Sequence, residues 1–195
     1  MGAAKMLSRV VVVDANNKAV NDDKEGFRKD ITADGLLQFA IVFAALIHDV
    51  DHSGLPNAAL VSQNAPVAIK YHGKSVAENN SIDIAWQLLM RPEFWQLRQC
   101  ICPNAAERER FQQLVIQIVL ATDIVDKELK QDRNARWNQV FSESSKAMEN
   151  INSIKARIVL EHLIQASDVS HTMQVSWCCC YWSCNLVVHH DYPSK

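Results

Sequence analysis

Leu36-Leu37-Gln38-Phe39-Ala40-Ile41-Val42-Phe43-Ala44-Ala45-Leu46-Ile47 runs without interruption into His48-Asp49-Val50-Asp51-His52-Ser53-Gly54. The apolar run is 12 residues long and broken only by Gln38, short of the roughly 20 that a membrane-spanning helix needs. It predicts a core helix over Leu36 to Asp49, apolar nearly all round as a helix surrounded by others would be. At its end four metal-capable side chains, His48, Asp49, Asp51 and His52, fall within five residues. Imidazole and carboxylate are the donors that a hydrolytic zinc, manganese, iron or magnesium site uses. A polar helix terminus is the alternative, and the two histidines suit the negative end of the dipole. The two aspartates do not, each costing about 0.3–1 kcal/mol there unless a cation compensates.

Around this stretch lies a chain of 195 residues, 48% hydrophobic and 22% charged, the size and composition of one globular domain. With only 5 Gly and 5 Pro it has few residues for tight β-turns, which favours helices. Met6, Leu7, Val10 and Val11 predict a helix over Ala3 to Val13, although Val10 to Val13 would also suit a strand. The polar residues from Asp14 to Gly35 predict a long surface loop, 14–35. Pro56 can open a short helix over Asn57 to Gln63. Ser75 and Glu78 have capping-box spacing, as do Asn104 and Glu107. Phe111, Leu114, Val115, Ile118, Val119 and Thr122 follow at helical spacing, and Ile151 to Ile164 repeats the pattern before Ser167-Asp168. The expected fold class is all-α, a multi-helix bundle of about seven to nine helices.

Twenty Lys and Arg against 22 Asp and Glu give a net charge of −2, so bulk electrostatics points to neither nucleic acid nor an anionic membrane. No secretory signal is evident. The expected location is intracellular, in the cytoplasm. Six cysteines do not form a spread disulfide framework, since Cys178, Cys179, Cys180 and Cys184 crowd together and the others are Cys100 and Cys102. With His189 and His190 the cluster could mimic a zinc site, but adjacent cysteines lack the C-x2-C spacing. From Val175 to Lys195 the helical pattern stops, and 175–195 is expected to be a divergent tail.

His48-Asp49-Val50-Asp51-His52-Ser53-Gly54 with Asn57 resembles the HDVDHPG-x-x-N signature of class I cyclic-nucleotide phosphodiesterases, of the HD superfamily of metal-dependent phosphohydrolases. Ser75 to Asn79 is similar to that family's SVLEN segment, Leu120 to Asp123 to its helix ending in ATD, and Ala166 to Ser170 to the segment carrying its second metal aspartate. They occur in family order over about residues 3 to 174, so 1–174 reads as a partial phosphodiesterase catalytic domain. The resemblance implies hydrolysis of 3′,5′-cyclic nucleotides, cAMP or cGMP, to 5′-monophosphates with two divalent metals, zinc with magnesium or manganese. It gives His48, Asp49 and Asp168 as metal ligands, with Asp49 shared between the ions. It gives His52, Glu78 and Thr122 as groups holding waters around the second ion. Glu78 could instead serve only its capping box, Thr122 could bond its own backbone, and Ser167-Asp168 could be an ordinary polar helix end. Asp51 is expected to be structural or to support the metal ligands from behind, and His72, His162 and His171 to be surface or packed residues.

The chain also departs from the family. Its H-N-x-x-H segment supplies a metal histidine and the general-acid histidine, yet no histidine precedes His48. The first metal site is thus expected to lack one ligand. Ser53 stands where proline is usual, and Asn80 and Ser81 replace histidines. The purine-gripping glutamine would follow Asp168, and Gln174 is too close to be that residue. Impaired hydrolysis is the expectation, with further domains in a longer protein. The alternative is a catalytically inactive helical module that keeps the fold for regulation or interaction.

Overall fold

A computed structural model describes residues 29–141 and 151–170. Among the described residues eight α-helices and one 3-10 turn follow one another, with helical residues 29–33 before them and no strand. The helices are α1 (Gly35–Ile47), α2 (Asn57–Ser62), α3 (Pro66–Lys70), α4 (Val76–Leu89), α5 (Trp95–Ile101), α6 (Ala105–Leu120), α7 (Lys127–Phe141) and α8 (Ile151–Val169). The all-α expectation is met. The expected helix over 3–13, residues 14–28, the tail 175–195 and His171 lie outside the described residues.

The core forms where α1 packs chiefly on α6, with α4 and α8 closing its sides. On α1, Leu37, Ala40, Ile41, Ala44 and Ile47 are buried, the three-and-four spacing of one helical face. Phe111 of α6 is fully buried. Its ring lies 5.7 Å from that of Phe39, 5.4 Å from Phe43 and 6.2 Å from Trp86, centroid to centroid. From α8, Ala156, Leu160, Leu163 and Ile164 complete the cluster. Glu161 is 1% exposed and accepts a two-pronged pair of bonds from Arg136 at 2.9 and 3.0 Å, plus one from Gln117. Such a buried carboxylate tolerates its site only while these partners remain.

Four expectations need correction. The surface loop expected over 14–35 fails at its end: residues 29–33 are helical, Ile31 is fully buried, and the Asp34 carboxylate caps α1 by accepting the Leu37 N–H at 3.0 Å. One apolar residue at the right distance from the core outweighed its polar neighbours. Second, α1 is not covered all round, for Phe39, Val42 and Leu46 are exposed. Third, Ser75 does not cap α4. It sits at φ 38° with no capping bond, and its hydroxyl donates to Asp123 Oδ2 at 2.8 Å. Fourth, α3 and α5 were not foreseen, because five and seven residues are too few to show a period. Asn104 does cap α6, accepting the Glu107 N–H at 2.9 Å. His162 is a packed residue, donating to the Ile158 carbonyl at 2.9 Å with its ring 4.7 Å from that of Trp137.

Phe111→Ala should destabilise the chain by about 3–5 kcal/mol through lost burial and a residual cavity. Urea denaturation measures this; a loss below about 1 kcal/mol would show that the aromatic cluster is not the centre of the core.

Candidate metal centre

Helix α1 ends at Ile47, and the chain turns through 48–50 with the His48 N–H still bonded to the Ala44 carbonyl at 2.9 Å. The turn continues with Val50 donating to Ile47 at 2.9 Å and His52 to Asp49 at 3.1 Å. It projects His48 and Asp49 toward the last turn of α8, where Asp168 stands. His48 Nε2 lies 3.3 Å from Asp49 Oδ2 and 3.3 Å from Asp168 Oδ1. The ligand atoms of the three residues all fall within 4.8 Å of one another, although His48 and Asp168 are 120 residues apart in sequence.

The hydrogen bonding fixes what the imidazole presents. His48 Nδ1 is 3.0 Å from the Ala45 carbonyl oxygen, which can only accept, so Nδ1 carries the proton. Nε2 faces two carboxylate oxygens, to which it either donates a proton of its own or, where the ring is neutral, presents its lone pair. Three electron-rich atoms facing one another require a proton or a cation between them. The setting adds to the negative potential, since α1 and α8 both bring their C-terminal dipole ends here and neither has a basic residue in its last turn. One imidazole and two carboxylates are a fitting donor set for a divalent ion. Ligands about 2.1 Å from a tetrahedral ion lie roughly 3.4 Å from each other, close to the 3.3 Å separations here.

The three residues expected around a second ion bond elsewhere among the described residues. His52 Nδ1 accepts the Gly54 N–H at 3.0 Å. The Thr122 hydroxyl donates to the Val119 carbonyl at 2.7 Å, the local role left open for it. Glu78 accepts from Asn57 Nδ2 at 2.9 Å. Burial pushes the Glu78 carboxyl above its ordinary range and nearby Asp123 adds to this, while Asn57, the Glu78 N–H and His52 pull the other way. Asp51, at φ 60°, accepts from Asn80 Nδ2 at 3.2 Å. Ser81 is fully buried and donates to the Val50 carbonyl at 2.8 Å. Helix α4 is thus tied to the turn that carries Asp49.

Asp123, buried and not singled out by sequence reasoning, organises this side of the fold. Its Oδ1 accepts the N–H groups of Val125 and Asp126, both at 3.1 Å, and its Oδ2 accepts Ser75 and Asn57. Its place at the end of the segment similar to ATD was the available signal, since an aspartate there can accept the N–H groups two and three residues on. Gln165 of α8 donates to the Ala121 carbonyl at 2.6 Å, joining that turn to the helix of Asp168.

The described fold is all-helical and gathers an imidazole and two carboxylates from distant helix ends into a group that could hold a divalent ion. The sequence profile of the 3′5′-cyclic nucleotide phosphodiesterase family matches residues 23–190, and the chain belongs to that family. Human cGMP-inhibited 3′,5′-cyclic phosphodiesterase 3A is 43% identical over 107 residues, covering 54% of this chain and 9% of that protein. A probable 3′,5′-cyclic phosphodiesterase, pde-3, of Caenorhabditis elegans is 40% identical over 85 residues, covering 44% of this chain and 12% of that protein. The chain therefore spans only about a tenth of the length of these curated relatives. The crystal structure of the phosphodiesterase domain of a RhoPDE fusion protein from the choanoflagellate Salpingoeca rosetta shares the fold at a TM-score of 0.55 and 20% identity, covering 86% of this chain and 55% of that one. Among the described residues no helix is long and apolar enough to cross a membrane.

Calorimetric titration with Zn²⁺ or Mn²⁺ should show binding that falls at least about tenfold in Asp49→Asn and in Asp168→Asn, while circular dichroism stays unchanged. Equal binding by wild type and both variants would place the metal elsewhere.

Proposed function

We propose that the chain hydrolyses 3′,5′-cyclic nucleotides to 5′-monophosphates, at a reduced rate, at a divalent-metal site held by His48, Asp49 and Asp168. Zinc suits the first position and magnesium or manganese the second, with the first position one protein ligand short. The observation that carries this reading is the His48 Nε2 atom 3.3 Å from an oxygen of each of two carboxylates. Family membership supplies the substrate class, and free Cys100 and Cys102 suit a reducing intracellular compartment.

Divalent ions at such a site polarise phosphoryl oxygens and lower the pKa of water from near 16 toward about 7. The chain's own contribution is orientation. The Ala45 carbonyl holds the His48 ring and fixes its tautomer, as the outer partners of metal-bound histidines do. Asp49 is largely solvent-exposed, its side chain 67% accessible, so its carboxylate can be shared with a second ion and lies open to substrate. Asp168 closes the site from α8. Water adds across the phosphorus–O3′ bond, and the departing 3′ oxygen needs a proton. A general acid that gives it contributes about 10²–10⁴ in rate. The second reading is a helical module that keeps the fold without turnover.

Purified chain supplied with cAMP or cGMP and Zn²⁺, Mn²⁺ or Mg²⁺ should release 5′-monophosphate slowly, and Asp49→Asn should abolish the release. No turnover with any ion would overturn the hydrolase reading in favour of the inactive module, and turnover unchanged in Asp49→Asn would refute the site.

A further inference from the structure

Asn57, the first residue of α2, makes three side-chain contacts that no single structural role requires together. Its Oδ1 accepts the Ala77 N–H at 2.9 Å, so the start of α4 is capped from another helix instead of by Ser75. Its Nδ2 donates to Glu78 Oε2 at 2.9 Å and to Asp123 Oδ2 at 3.3 Å. The amide has one consistent orientation, because the backbone N–H can only donate and the carboxylates accept. Capping needs only the oxygen. The nitrogen instead stands between two carboxylates that would repel each other without it.

The parts around Asn57 are fixed. Asp123 is held by Val125, Asp126 and Ser75, and Ser75 keeps φ 38°, a conformation that persists in a non-glycine residue only where its surroundings dictate it. With Asp123 and the α4 terminus immobile, the remaining amide hydrogen determines where the Glu78 carboxylate points. Helix α4 in turn grips the Asp49 turn through Ser81 and Asn80.

We propose that Asn57 is a positioning residue, which aims the Glu78 carboxylate and stands between it and Asp123. Its importance for turnover rests on the hydrolase reading, but the positioning itself does not. The titratable groups facing Glu78 are Asp123 from the turn after α6 and His52 from the turn after α1.

The test is NMR titration of the metal-free, substrate-free chain, following the Glu78 carboxyl carbon and the Asn57 side-chain amide protons. In the wild type both should move with one midpoint, and Glu78→Gln should remove that transition from the Asn57 protons. Asn57→Ala should raise the Glu78 midpoint by about one pH unit and abolish hydrogen-exchange protection at Ala77. Asn57→Asp, which keeps an acceptor for Ala77, should raise the midpoint further and retain the protection. Asn57 protons that ignore Glu78 in the wild type would overturn the proposal without any variant having to fold. An unchanged Glu78 midpoint in a folded variant would reduce Asn57 to a helix cap. A chain without turnover that passes these tests would refute the hydrolase reading and leave the positioning role standing.

Discussion

Burial of one face of α1 against α6, α4 and α8 is the constraint from which the rest of the molecule follows. The helix has no freedom to rotate without exposing Leu37, Ile41 and Ala44. Turning these side chains outward would lose on the order of 1.5–3 kcal/mol for each large one. Because the rotation is set, the point at which the chain leaves Ile47 is set too. The same packing seats Leu160, Leu163 and Ile164 of α8, so Asp168 arrives opposite His48 by consequence of the core. The apolar interior is the jig that holds the polar site.

What the core assembles is a polar cluster that calls for a proton or a cation. Two carboxylates and an imidazole nitrogen meet at the negative ends of two helices. A cation bound there would be held by all three side chains, and through it the proposed chemistry would depend on the folded scaffold. A second polar group, Asn57, Glu78, Ser75 and Asp123, solves a similar problem differently. There, an amide and a hydroxyl separate and satisfy the acids, with no ion needed.

The sequence was informative where a pattern was long or a motif dense. The apolar run into His48-Asp49, the spacing along α6 and the return of isoleucines in α8 were legible as helices, and the fold class followed from them. The pairing of His48 with Asp168 was not legible from spacing, because 120 residues separate them; only the family resemblance suggested it. Ser75 misled for a physical reason. A serine three residues before a glutamate has the capping pattern, but a buried acceptor on Asp123 drew its hydroxyl away and Asn57 took over the cap from outside. Ile31 shows the reverse error, since local polarity concealed a residue that tertiary packing buries completely.

X-ray absorption at the zinc edge on the zinc-loaded chain tests the central claim most directly, because it reads the donor atoms themselves. The account predicts nitrogen and oxygen scatterers at about 2.0–2.2 Å, with the imidazole signature lost in His48→Ala. Sulfur scatterers at about 2.3 Å, which would assign the zinc to the cysteines of 178–184, or a nitrogen shell unchanged in His48→Ala, would contradict it.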